Sequence, residues 1–208
     1  MALSWRTWRK VFTGCCFASL MTVSSTASIV APIFAIQGPL LGLDTSQIAT
    51  IFAVYYLPNV VSSLAAGVLA SVYGRRRVLA GGCAMLSAGS VALGFVPAAC
   101  GRQAEVQCLF RLFLAARVLQ GMGTALAQTC LFAILSDMWP DNTGKVMGTA
   151  ELVAGSSYAV GPIVGGFLFE IGGFRLPFLC QGALPMMVML VLQVPSFVSP
   201  AQRPGSYS

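Results

Sequence analysis

The chain has 208 residues, of which 57% are hydrophobic and 9% charged, with a formal net charge of +6 and a mean hydropathy of +0.81. A soluble domain of this length carries roughly a quarter of its residues as charges, so a surface built to face water is excluded. The absence of histidine removes the usual imidazole metal ligand and the commonest general base, which argues against a zinc or hydrolytic enzyme and implies no metal or other cofactor.

A bilayer core about 30 Å thick takes roughly 20 apolar residues per helix, and six runs of that kind stand at about 11–36, 47–72, 78–98, 109–135, 146–169 and 175–195. They are long and continuous, whereas barrel strands alternate over short segments, so the expected fold is all-α: a polytopic membrane protein with a six-helix bundle over 11–195. Residues 1–10 are expected as a cytoplasmic N-terminus, and the Pro- and Ser-rich stretch 196–208 as a disordered cytoplasmic tail. The first run follows Arg6, Arg9 and Lys10 and contains small residues at Ser24, Ser25 and Ala27, the pattern of a signal peptide. It continues through Ile29, Val30, Ile33 and Phe34, longer than a signal sequence needs, and so is assigned as a span.

Orientation follows the distribution of Lys and Arg. With the N-terminus inside, Arg6, Arg9, Lys10, Arg75, Arg76, Arg77, Lys145 and Arg203 are cytoplasmic, against Arg102, Arg111 and Arg175 on the other side; both termini are then cytoplasmic. Which membrane holds the protein, a vesicle or the plasma membrane, stays open. The basic residues form clusters between apolar runs, with no stripe flanked by aromatic partners, which argues against nucleic-acid binding. Cys15, Cys16, Cys83, Cys130 and Cys180 fall inside apolar runs, where cysteine behaves as a small hydrophobe. Cys100 and Cys108 bracket a polar non-cytoplasmic loop, and a disulfide there is an alternative the sequence leaves open.

In chain order, the polar positions inside the runs begin with Thr22, Ser25 and Thr26 on the first, and Tyr55, Asn59, Ser62 and Ser63 on the second. These line a path for a solute or bond between helices. A tight basic turn follows, Gly67-Val68-Leu69-Ala70-Ser71-Val72-Tyr73-Gly74-Arg75-Arg76-Arg77-Val78-Leu79. Here Gly67 permits close helix approach and Gly74 a sharp turn, and the arginines hold the loop on the cytoplasmic face. In the fourth run Arg117, Gln120, Gly121, Thr124 and Gln128 share one helical face. An arginine at that depth costs about 3 kcal/mol unless it meets water, a carboxylate or carbonyls. The face therefore lines a cavity, or the arginine bonds to carbonyls of a neighbouring helix. In the fifth run Glu151 is a carboxylate well inside the apolar stretch, on one face with Gly155, Tyr158 and Pro162. Three roles fit it: loading a proton with a pKa raised by burial, pairing with a cationic substrate, or pairing with Arg117.

Three segments carry a resemblance. The turn from Gly67 to Leu79 resembles the signature loop of the major facilitator superfamily, G-x-L-a-D-r-x-G-r-r-x-x-l, with Ser71 where many members place an acid that helps latch the cytoplasmic gate. Val72 stands where they place a basic residue. Arg117-Val118-Leu119-Gln120-Gly121-Met122-Gly123-Thr124-Ala125 is similar to the family's R-x-x-q-G-x-g-x-a pattern. Gly155, Gly161, Pro162, Gly165 and Gly166 resemble its antiporter signature, with Pro162 bending the helix and the glycines letting it press on a partner. Within the family, Met147 to Glu151, Gly161 to Phe169 and Gly173 to Phe178 resemble the vesicular amine transporters and their polyamine-transporter-like branch. The resemblance implies a proton-coupled antiporter of small organic solutes, organic cations or polyamines, of which six of twelve helices are present here. Its partners would be the lipid bilayer, protons, the substrate, and a second six-helix half or a second copy. The rival expectation is a short, non-transporting form that regulates or assembles with a full-length relative.

Overall fold

The computed structural model describes residues 5–99 and 106–193, and every regular element among them is helical. In chain order they are α1 (Trp5–Ser24), α2 (Val30–Leu40), α3 (Thr45–Tyr73), α4 (Arg75–Ala99), α5 (Val106–Met138), α6 (Thr143–Gly172) and α7 (Arg175–Gln193), with a 3-10 turn at Pro140–Asn142 before α6. The stretch 196–208 and the Cys100–Cys108 pairing lie outside the described residues. Helices α3, α4, α5 and α6 are each long and apolar enough to cross a membrane.

The first expected span departs from expectation. It is two helices joined by a tight turn over Ser25–Ile29, in which Ser28 donates its N–H to the Ser25 carbonyl (3.1 Å) and Ala31 to the Ser28 carbonyl (3.2 Å). Pro32 is the physical cause: it has no N–H to give the Ser28 carbonyl, and its ring collides with that carbonyl in a continuous helix. The remaining five spans match single helices; α3 to α6 each run a few residues beyond the apolar run that announced them, and α7 is described from Arg175 to Gln193 within its run.

Local chemistry sets the other ends. Asp44 caps α3 through the Ser46 N–H, and Gln47 reaches back to the Asp44 N–H, a reciprocal capping box. The Ser46 hydroxyl and N–H also hold the Asp44 carboxyl below the ordinary carboxylate range. Gly74, at φ +86°, stops α3 and lets α4 start at once, a backbone state that costs glycine little.

Two apolar cores lie at opposite ends of the bundle. The end bearing Arg75 to Arg77 packs Phe12, Cys16, Leu20, Leu86, Leu131 and Leu135, and the other packs Ile33, Phe34, Ile51, Leu93, Phe113 and Phe178. In the second core Phe34 meets Phe113 edge to face at 4.9 Å. Cys16, Cys83 and Cys130 are buried in the first core as small hydrophobes. Between the cores runs a layer of buried polar side chains: Thr26 of the turn, Ser87 and Ser90 of α4, Arg117, Gln120 and Thr124 of α5, and Gln181 of α7. That layer positions the candidate site.

Candidate functional site

Arg117 is the largest fully buried side chain, 1% exposed. Its Nε donates to the Ile51 carbonyl of α3 (3.3 Å), its Nη1 to Gln120 Oε1 (3.0 Å), and its guanidinium lies 4.7 Å from the Tyr55 ring centroid. Gln120 then donates through Nε2 to Ser90 Oγ (2.9 Å), which donates to the Leu86 carbonyl (2.9 Å). The chain of bonds ties α3, α4 and α5 together around one cation. Among the described residues no carboxylate reaches Arg117 within ion-pair distance. A carbonyl, an amide oxygen and an aromatic face together stabilise the charge, so of the two readings of this arginine the structure realises the bond to a neighbouring helix.

That outcome relocates the expected cavity. Gln120 and Thr124 are buried between helices, with Thr124 Oγ1 bonded to the Gln120 carbonyl at 2.8 Å, and Gln128 is half-buried one turn on. Their face packs against α3 and α4 instead of lining open space, because small residues let the helices close. A Cβ on Gly121 would collide with the Tyr55 carbonyl, and one on Gly123 with the α4 backbone at Leu86 and Gly82. Asn59 Nδ2 bonds the Gly121 carbonyl (3.2 Å), sealing the same contact.

Glu151 also stands elsewhere than expected. It is exposed on α6 and makes no ion pair with Arg117 or any other described residue. Only a narrow stripe of α6 is buried, Ala150, Ala154, Ser157, Gly161 and Gly165, and Glu151 sits about 100° around the helix from Ala150. The face it shares with Gly155 and Tyr158 is open.

The glycines of the fifth expected span divide. A Cβ on Gly165 would stand 3.1 Å from the Ile29 carbonyl, and one on Gly161 would strike Ser28, so these two let α6 press on the broken first span. Gly155, Gly166 and, on α3, Gly67 have open space where a Cβ would go, so none of the three serves a close approach in this structure. Pro162 is half-buried within α6.

At the basic turn, Arg75 bonds the Ala133 carbonyl (3.1 Å) and forms an ion pair with Asp137 of α5. Ser71, at the position of the family's acid, is exposed and bonds its own helix at the Val68 carbonyl (2.8 Å). Arg76 is half-buried beside Arg75. On the same side Arg9 stacks on Trp139 at 4.0 Å and bonds the Met138 carbonyl (2.6 Å), while Trp139 Nε1 donates to Thr13 Oγ1 (3.0 Å), fastening α1 to the end of α5.

The structure adds Gln181, which the sequence reading passed over. This buried amide of α7 donates through Nε2 to the Thr22 carbonyl and to Thr26 Oγ1, both at 2.6 Å, and accepts from Ser25 Oγ at 3.3 Å. It thereby staples the turn between α1 and α2, while Ser28 Oγ reaches the Ser157 carbonyl of α6 at 3.4 Å. The signal available in the sequence was a lone amide in the apolar run Leu179-Cys180-Gln181-Gly182-Ala183-Leu184; its partners lie some 155 residues away.

The comparisons agree with this architecture. Residues 13–206 match the profile described as Major Facilitator Superfamily. The chain is 29% identical over 188 residues to the MFS-type transporter SLC18B1 of Mus musculus, covering 88% of this chain and 39% of that protein. It is 35% identical over 97 residues to the vesicular acetylcholine transporter of Mus musculus, 45% of this chain and 18% of that protein. Over 145 residues it is 29% identical to the multidrug resistance protein Stp of Mycobacterium tuberculosis, 67% of this chain and 25% of that protein. The chain thus spans 39% of the length of the first of these relatives. With an all-helical membrane bundle, a buried arginine layer and a profile match over nearly its whole length, the chain belongs to the major facilitator superfamily and is most like its vesicular amine transporter group.

Proposed function

We propose that this chain is the first of two six-helix bundles of a proton-coupled antiporter for small organic cations, polyamines included. The observation that carries the reading is the open face of α6, where the exposed carboxylate of Glu151 stands two helical turns from the exposed ring of Tyr158, with Tyr56 of α3 exposed as well. A carboxylate and exposed aromatic faces suit an ammonium group, and the carboxylate alternately suits a proton. The relatives support the class: one is named a vesicular acetylcholine transporter and one a multidrug resistance protein. In this reading Glu151 exchanges proton for cation, Arg117 fixes the polar layer behind it, and Tyr55, Asn59, Ser25, Gln120, Thr124, Gln128 and Tyr158 bound the path. Both termini are cytoplasmic, and the second bundle covers the open face.

The test is uptake of radiolabelled spermidine into acidified proteoliposomes by a transport-competent form, with an ionophore control. Glu151→Gln is expected to abolish gradient-driven uptake. Normal gradient-driven uptake by that variant overturns the role of Glu151, and no uptake of any organic cation by correctly inserted unmutated protein overturns the substrate class.

A second reading rests on the exposed apolar side chains of α3, Leu57, Val61, Leu64 and Val68: a non-transporting protein that lays this face on a full-length partner or on a second copy. A stable membrane-inserted product of this length that co-purifies with such a relative and lacks uptake favours it.

A further inference from the structure

Behind the broken first span lies a cavity of about 170 Å³, bounded by Met21, Thr22, Ser25 and Ile29 of α1 and the turn, by α6, and by Cys180, Gln181 and Leu184 of α7. It is distinct from the open face that carries Glu151. At about 100° per residue, Val160 of its rim is about 200° around α6 from Tyr158, so the cavity opens on the flank turned away from Tyr158 and Glu151. Its mouth is framed by Val160, Val164 and Leu184, which are 37%, 43% and 46% exposed.

The chemistry of the walls selects the occupant. Its polar lining is Thr22, Ser25, Ser157 and Gln181; Gln181 donates to the Thr22 carbonyl and Thr26 Oγ1, and Ser25 Oγ lies between the Thr22 carbonyl (2.9 Å) and Gln181 Oε1 (3.3 Å). Both amide hydrogens of Gln181 and the Ser157 hydroxyl are taken up within the protein, and most of the other walls are Met, Ile, Val and Leu. An apolar cavity of about 150 Å³ holds a benzene ring, six carbons, so this one accepts the terminal segment of a hydrocarbon chain. Its mouth opens at exposed apolar side chains of α6 and α7, and acyl chains are the solvent around apolar side chains exposed within a bilayer.

We propose that the cavity between the α1–α2 turn, α6 and α7 is an intramembrane lipid site that takes the end of one phospholipid acyl tail. The tail wedges behind the turn at Ser25–Ile29 and packs beside Gly161, filling the gap left where Pro32 interrupts the first span. The occupant is a bilayer lipid entering sideways, and its headgroup makes no contribution to selection.

The test reconstitutes the full chain in liposomes of phosphatidylcholine bearing a diazirine near the end of one acyl chain, followed by irradiation and peptide mapping. Adducts at Val160, Val164, Leu168 and Leu184 are expected several-fold above those at Val91, Phe95 and Leu112, which are as exposed, at 37%, 42% and 40%, but lie on other outer faces. Two filling variants, Val164→Phe and Leu184→Phe, are each expected to return the neighbouring adducts to that background. Equal labelling of both sets shows ordinary surrounding lipid and overturns the proposal, as does enrichment that persists in both filled variants. The comparison within the unmutated chain stands even where a variant fails to insert.

Discussion

At the scale of single residues, Arg117 shows how a charge is kept inside a membrane protein on neutral groups. Its guanidinium bonds one helix's carbonyl and its own helix's Gln120, and lies over an aromatic ring of the next helix. Arg117→Met fills similar space but leaves the Gln120 oxygen and the Ile51 carbonyl without this donor. Each buried group left unpaired costs about 1–3 kcal/mol, so a clear fall in thermal unfolding temperature in detergent is expected, larger than for Arg111→Met at an exposed position. Gln181→Leu is expected to weaken the same fold through the turn, since the Thr22 carbonyl and Thr26 lose a shared donor; hydrogen exchange at Ser25–Ile29 is the measurement that reads it. Arg117 was legible in the sequence because an arginine in an apolar run has to be accounted for, whereas its partner Ser90 and the staple Gln181 are ordinary residues until the chain brings helices together.

At the scale of elements, the first span and the fifth carry the lesson. Pro32 inside an apolar run is a visible helix breaker, yet hydropathy alone treats 11–36 as continuous. On α6 the glycine pattern resembles one motif, but of its glycines only Gly161 and Gly165 meet another element, the turn between α1 and α2. Gly165→Leu is expected to destabilise by about 1–3 kcal/mol through overpacking against Ile29, while Gly155→Ala, with open space for its methyl group, is expected to stabilise by about 0.5–1 kcal/mol through lower chain entropy. Thermal unfolding of the two variants side by side separates them, and equal losses would sink the distinction. At the start of α3, the carboxyl of Asp44 is held below its ordinary range by Ser46. A depressed folded pKa gives a stabilisation present above the unfolded value of about 3.9 and lost as pH falls below it. Amide protection at Thr45 to Gln47 is therefore expected to drop under acid conditions, less so in Asp44→Asn.

At the scale of the whole molecule, burial is uneven. Over their most apolar windows α4 and α5 are 56% buried, against 17% for α3 and 22% for α6. The exposed side of α3 is apolar along Leu57, Val61, Leu64 and Val68, and the exposed arc of α6 carries the Glu151 carboxylate. A carboxylate facing hydrocarbon is costly, so that arc calls for water, protein or both. The isolated chain is expected to self-associate or pair with a second bundle in detergent, measured by light scattering during size-exclusion chromatography, and Leu57→Arg combined with Leu64→Arg is expected to reduce that association. A strictly monomeric unmutated chain would count against a protein partner for this side.

The sequence by itself determined that the chain is an all-helical membrane protein, where most helices run, and which family its loop and helix motifs resemble, because hydrocarbon thickness and backbone hydrogen bonding leave few other solutions for runs this long and apolar. Only the tertiary structure decided which side of each helix is covered. That choice turned Arg117 inward to a carbonyl and Glu151 outward to an open face, set Gln181 against the turn that Pro32 imposes, and left a cavity at the break. Helical periodicity places residues on a common face but does not say what that face meets, since contacts between positions more than a hundred residues apart are fixed by packing alone.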